Sequence, residues 1–252
     1  MTGLDVKWES PPEQHEIGHD AVHVWRASFQ PAFVSRGRFS ESLSQEEAEK
    51  AWRFVRQSDR DRYAFSHKVL RSIIAGYIGC EPQDLAFSKE KRYHKPYLIG
   101  PSRGRDIQFS LSHSGDITLV AVSRESAVGI DVELVRKIPD AKQIIESFFS
   151  VDERRFFASL SPIDFDENFF VYWTSKEAFL KATGEGLSYP LDKFSVVFPH
   201  GQPEGSVRDH EADSFQTRNW KVKRLSPEPG YLAALVLAEP GNELKFFEYG
   251  PC

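Results

Sequence analysis

The sequence predicts an α+β protein built from two halves, each pairing helices with a small, mostly antiparallel sheet. Three observations predict it. Two helical blocks open on capping boxes, Ser44-Gln-Glu-Glu47 and Ser150-Val-Asp-Glu153. Each helical block is followed by short alternating or apolar runs separated by turn residues, the pattern of strands. The order of helices then strands occurs twice, although no close internal sequence repeat is visible.

The elements follow in order. Residues 1–20 are polar and acidic and read as a flexible tail, without the apolar run of a signal peptide. His15, His19 and His23 are four apart, a ligand spacing on a helix, but Gly18 and the strand-like sequence from Val22 argue against a helix there. The first half is expected over 21–126, opening on a strand from Ala21 to Phe29. The helix after Ser44 carries Ala48, Ala51, Trp52 and Val55 on one face. A second helix, about 60–78, buries Tyr63, Leu70, Ile73, Ile74 and Tyr77, and Gly79 ends it. Leu85 to Ile99 reads as a β pair, and three consecutive strands follow at Ile107–Leu111, Ile117–Ser123 and Val128–Leu134. Their turns are Ser114-Gly115 and Glu125-Ser126.

The second half is expected over 127–252. A helix near 140–148 and a capped helix after Ser150 precede a long helix of about 166–183, started by Asp164 or Asp166 and closed by Gly184. Strands are expected near 193–198, 219–225, 231–238 and 244–249, and 200–216 reads as a loop.

Composition narrows the function. At 252 residues with 13% aromatics the chain can bury a sizeable core. A net charge of −5 argues against a general nucleic-acid binder, so an anionic ligand needs a local basic patch. The two cysteines, Cys80 and Cys252, form no disulfide framework or zinc spacing, which points to a reducing cytoplasm. No run reaches the roughly 18 apolar residues of a membrane span, and Pro-Cys at the end is not a prenylation box.

Four stretches carry chemistry. In Trp173-Thr-Ser-Lys176-Glu177-Ala-Phe-Leu-Lys181-Ala-Thr-Gly184, helical spacing puts Trp173, Glu177 and Lys181 on one side. Taken alone, Glu177 and Lys181 also read as an ordinary surface ion pair. In Gly129-Ile-Asp131-Val-Glu133, strand geometry puts the two carboxylates on one face, about 6–7 Å apart along the backbone. Like charges so placed repel unless a cation or a basic group sits between them, and few hard oxygen ligands suit Mg²⁺, although a solvated strand face reads the same way. Phe109-Ser-Leu-Ser112-His113-Ser114-Gly115 puts Ser112 and His113 on diverging faces, which disfavours a nucleophilic dyad and suits phosphate contacts; a plain Ser- and Gly-rich turn is the alternative. Basic residues are scattered: Lys50, Arg53, Arg62, Lys91, Arg92, His94 and Lys95. There is no Walker loop and no GxGxxG motif.

Taken together and in order, these motifs resemble the surfactin-synthetase-type 4′-phosphopantetheinyl transferases of the holo-acyl-carrier-protein synthase superfamily. The likeness covers roughly Ala21 to Ala238. It rests on Lys95-Pro96, Phe109-x-x-Ser112-His113-Ser114-Gly115, Gly129-Ile-Asp131-Val-Glu133, Trp173-x-x-Lys176-Glu177-Ala-x-x-Lys181, Gly184-x-Gly186-Leu187 and Leu191-x-x-Phe194.

The resemblance implies a pseudo-dimer of two similar halves, with coenzyme A and Mg²⁺ (or Mn²⁺) in the cleft between them. It matches Asp131, Glu133 and Glu177 to metal ligands. Lys181 matches a lysine on the diphosphate, and Lys50, Arg62, Lys95, Ser112 and His113 match coenzyme-A-binding positions. One departure is Glu47, where some members carry a second lysine; the alignment of Lys50 and Arg62 is loosest there.

The implied reaction moves 4′-phosphopantetheine from coenzyme A to a serine hydroxyl of an apo acyl or peptidyl carrier protein, releasing adenosine 3′,5′-bisphosphate. Asp131 and Lys181 would take part directly, and Glu177 is the candidate general base. Phe148-Phe149-Ser150 is a candidate docking edge. A monomer is implied, since both half-sites lie in one chain, with no nucleic-acid or membrane partner. The alternatives are another Mg²⁺-dependent phosphate-transfer enzyme and a non-catalytic module binding coenzyme A or a carrier protein.

Overall fold

The computed structural model describes residues 3–4, 6–31, 43–88, 95–99, 106–186, 189–210, 219–238 and 243–250. Lys91, Arg92, His94, Leu187 and Cys252, named above, lie outside them.

The first sheet is built from β1 (Ala21–Ser28), β4 (Ile107–Ser114), β5 (Ile117–Arg124) and β11 (Glu243–Glu248), in the order β11-β1-β5-β4. Its helices are α1 (Gln45–Trp52) and α2 (Gln57–Ile78), and a small hairpin pairs β2 (Ala86–Phe87) with β3 (Leu98–Ile99). The second sheet holds β6 (Val128–Leu134), β7 (Phe194–Val197), β8 (Glu204–Asp209), β9 (Trp220–Leu225) and β10 (Tyr231–Ala238), in the order β6-β10-β9-β8-β7. Its helices are α3 (Ala141–Phe148), α4 (Val151–Ala158) and α5 (Pro162–Thr183).

The expected α+β class and two-half plan are both present. The halves share a topology: β1–β5–β4 matches β6–β10–β9, with the first strand against the last and the last against its predecessor. Each half has one helix of 22 residues closed by a left-handed glycine, Gly79 at φ 73° and Gly184 at φ 78°. The two sheets pack face to face through Leu119, Ala121, Ile130, Val132, Leu235 and Leu237. Their outer faces are covered by α2, through Ile73 and Ile74 on Val120 and Val122, and by α5, through Ala178 and Phe179 near Ala234 and Val236. The central strands are therefore buried on both faces and read as continuous apolar runs.

One device recurs in both halves. The glutamate of each capping box is buried and bound by a cation from the long helix. Glu47 accepts Arg71 Nε at 2.7 Å, and Glu153 lies 2.8 Å from Lys176 Nζ. Arg71 also donates to the carbonyls of Pro82 and Leu85, and Lys176 to those of Leu191 and Phe194. Each cap thus pins a short helix, the long helix and the following turn together.

Several expectations are corrected. The last strand, β11, runs parallel to β1 in the first sheet and does not join the sheet of the second half. Residues 1–20 do not hang free among those described: Leu4 bridges to Leu225, Glu9 to Phe247, and Ile17 is buried. Trp52 and Val55 are exposed because α1 ends at Trp52, whose ring lies under Arg60. Strand β8 occupies Glu204–Asp209, between β9 and β7, where polar alternation concealed a strand within the stretch expected as a loop. Helix α5 starts at Ser161-Pro162, not at Asp164 or Asp166, because proline fits the first turn. No helix among the described residues is long and apolar enough to cross a membrane.

Candidate active site

The site lies where β4 of the first half meets β6 of the second, and within the second half Gly129 lets α5 sit close on β6. A Cβ there would come within 1.9 Å of the Ala178 carbonyl oxygen, so only glycine lets α5 lie directly on β6. That approach brings Lys181 to Asp131: Nζ donates to Oδ1 at 2.7 Å. Glu133 follows on the same face of β6, and Glu177 stands one helical turn before Lys181 on α5.

The edge strands β4 and β6 are joined by side chains. The hydroxyls of Ser110, Ser112 and Ser114 accept the N–H groups of Ile130, Val132 and Leu134 at 3.1, 3.3 and 3.1 Å. Ser112 then donates to Asp131 Oδ1 and Ser114 to Glu133 Oε2, both at 2.7 Å. Asp131 Oδ2 is buried with no hydrogen bond.

Electrostatics follow from this crowding. Burial, and then the Asp131 charge, push the Glu177 carboxyl up to about 7, against the pull of Lys181. Glu133 is also raised, by burial first, with Asp131 adding and Ser114 opposing. Among the described residues no three acidic, histidine or cysteine side chains are drawn to ligand distance around one point. The donor chemistry and the unpaired Asp131 oxygen nevertheless fit a hard divalent cation.

Two hollows flank the carboxylates. One, of about 280 Å³, is lined by Leu70, Lys95, Pro96, Phe109, Glu177 and Lys181. The other, of about 360 Å³, is lined by Glu133, Arg136, Lys137, Ile144, Phe169 and Trp173. Lys95 donates to the Val128 carbonyl at 2.8 Å, and burial lowers its ammonium to about 8.

Of the expected site residues, the structure brings Asp131, Glu133, Glu177, Lys181 and Lys95 into one region. His113, near the end of β4, lines neither hollow; partial loss of solvation around its ring, then His67, Lys181 and Lys50, hold its pKa down to about 4. Lys50 lies at the end of α1, over the Tyr63 ring. Arg62 is bound by Asp116 at 2.8 Å and stands beside the β4–β5 turn, outside the lining of either hollow. Ser112, expected at coenzyme A, binds a carboxylate in this structure. Phe149 is fully buried, which removes it from the expected docking edge, while Phe148 is exposed. His15 and His23 pack around Tyr77, and His19 faces Glu125, so the three histidines do not form one site.

Reasoning from sequence missed His67, Ser110, Ser114 and the close contact at Gly129. The alternating Ser110, Ser112 and Ser114 were legible as one strand face. Nothing in sequence said which strand they would meet.

Two family models match the chain. One, for the 4′-phosphopantetheinyl transferase superfamily, covers residues 127–236. The other, for the 4′-phosphopantetheinyl transferase N-terminal region, covers residues 27–125. Among similar proteins, 4′-phosphopantetheinyl transferase HetI of Nostoc sp. is 32% identical over 98% of this chain and 100% of its own length. 4′-Phosphopantetheinyl transferase Sfp of Bacillus subtilis is 32% identical over 81% of this chain and 85% of its own. A putative 4′-phosphopantetheinyl transferase of Synechocystis sp. is 32% identical over 79% and 75%.

Proposed function

The chain belongs to the 4′-phosphopantetheinyl transferase superfamily and to that enzyme class, and on that premise we propose that it moves 4′-phosphopantetheine from coenzyme A to a carrier-protein serine, releasing adenosine 3′,5′-bisphosphate. The observation that carries the reading is the cluster of Asp131, Glu133, Glu177 and Lys181 between two hollows.

Asp131, Glu133 and Glu177 would hold Mg²⁺, or Mn²⁺ in its place. Such an ion supplies Lewis acidity and a template for the diphosphate. Lys181, moving from Asp131 to the diphosphate, offsets charge developing on the leaving phosphate as the bond to the β-phosphorus breaks. His113, Lys95 and Lys50 supply positive or hydrogen-bonding groups on the nucleotide side, and the apolar lining of the smaller hollow suits the adenine ring. Arg62 belongs there only if coenzyme A displaces Asp116.

The serine hydroxyl must reach phosphorus from the side away from the nucleotide. The hollow beside Glu133, with basic Arg136 and Lys137 and the apolar Trp173, is the surface on which we place the carrier. Glu177 is our candidate to accept the serine proton, a role that competes with its use as a tight cation ligand. We place the enzyme in the cytoplasm as a monomer; its thiol Cys80 is free.

The test counts adenosine 3′,5′-bisphosphate released against carrier supplied. Release matching the apo carrier, and absent without it, supports transfer. Release without any carrier would support a Mg²⁺-dependent phosphodiesterase. Coenzyme A binding with no release would support a non-catalytic module.

A further inference from the structure

The geometry points to a role for the serines of β4 that goes past contact with a ligand: we propose that Ser114, together with Ser112, is a positioning residue that fixes the β6 carboxylates for a divalent cation. The proposal rests on the reading of Asp131 and Glu133 as cation ligands.

Strands β4 and β6 meet at their edges, where an ordinary ladder would send each N–H to a backbone carbonyl. Here three serine hydroxyls accept those N–H groups instead. A hydroxyl that accepts still has its own proton to donate. Ser112 and Ser114 direct that proton to the carboxylate one residue before the N–H they hold, Asp131 and Glu133. Each hydroxyl is thereby fixed to the β6 backbone on one side and to a β6 side chain on the other.

The consequence is orientation. Asp131 and Glu133 are like charges side by side on a strand, and Glu133 in particular has the torsional freedom to turn toward solvent. The serines engage one oxygen of each carboxylate. In Asp131 the second oxygen is left buried without a hydrogen bond. Ser110 supplies an internal comparison. It holds Ile130 N–H in the same way, but the preceding residue is Gly129, which has no side chain to receive a proton.

The experiment follows Mn²⁺ binding by electron paramagnetic resonance on the full chain with saturating coenzyme A and no carrier. Ser114→Ala should weaken Mn²⁺ binding about tenfold or more, the usual effect of losing a group that orients a ligand. Ser114→Thr, which keeps the hydroxyl, should restore it. Ser110→Ala should lower the melting temperature while keeping parent-like Mn²⁺ affinity. Should Ser114→Ala not fold, Ser114→Cys, a weak donor of similar shape, is expected to show the same loss. Parent-like affinity in the alanine or cysteine variant, or an equal loss in Ser110→Ala, overturns the proposal. A parent chain that binds no Mn²⁺ fails at the earlier step, the ligand reading itself, and takes the proposal with it.

Discussion

Glu177 is the residue on which chemistry and electrostatics press hardest. It is raised toward neutrality by burial and by Asp131, and Lys181 one turn on keeps it from rising further. Glu177→Gln removes the base but keeps the shape. We expect it to lower the transfer rate by about 10²-fold or more, the scale of general-base catalysis. Near-normal turnover with Mg²⁺ still bound would remove Glu177 from that role. Glu47 shows the opposite balance. Burial pushes its carboxyl up, but bonds from His67, the Ser44 N–H and Arg71 bring it down to about 2 from 4.5. A depressed carboxylate stabilises the fold above its unfolded pKa and loses that contribution as pH falls through its folded pKa. Stability should therefore drop between about pH 4.5 and pH 2, by roughly 3 kcal/mol for this group. Urea unfolding across that range should show the drop in the parent and a flatter profile in Glu47→Gln. At this scale the sequence revealed residue types but not partners. Glu47 and Glu153 were legible as caps, whereas Arg71 and Lys176 became their counter-ions only through packing far along the chain.

Helix α5 and strand β6 form the central contact of the site, and glycine decides how close they come. Gly129→Ala would place a methyl group against the Ala178 carbonyl, and neither backbone can yield without separating helix and strand. We expect a loss of about 1–3 kcal/mol or more, with transfer activity falling further than stability as Lys181 is carried from Asp131. Thermal unfolding and initial rates on one preparation check this; an unchanged melting temperature would contradict the packing argument. Elements with strong local signals were legible: both capped helices, the Gly79 and Gly184 stops, and the apolar strands β5, β6 and β10. Where local signals were weak or misleading the reading slipped. The polar alternation of β8 resembles a loop because that strand, paired between β9 and β7, exposes alternate residues to solvent. Trp52 and Val55 fell on the expected apolar face, but the helix ended before Val55 could be buried.

The whole molecule is held by connections that cross its halves. Strand β11 returns to the first sheet beside β1, and the N-terminal segment bonds Leu4 to Arg224 in the second sheet and Glu9 to β11 in the first. Arg26 on β1 binds Glu248 and Glu228 and lies over Trp8, tying the same pieces together. These connections tie the two halves together, and they were the least legible feature of the sequence. A parallel pairing between β1 and β11, 222 residues apart between Arg26 and Glu248, leaves no local trace. The measurement that tests the central claim most directly is the intact mass of an apo carrier protein after incubation with this protein, coenzyme A and Mg²⁺. The account predicts a gain of one phosphopantetheine per carrier, abolished by EDTA and by Asp131→Ala. An unchanged carrier mass on acyl and peptidyl carriers alike, with the parent protein folded and coenzyme A bound, would contradict it.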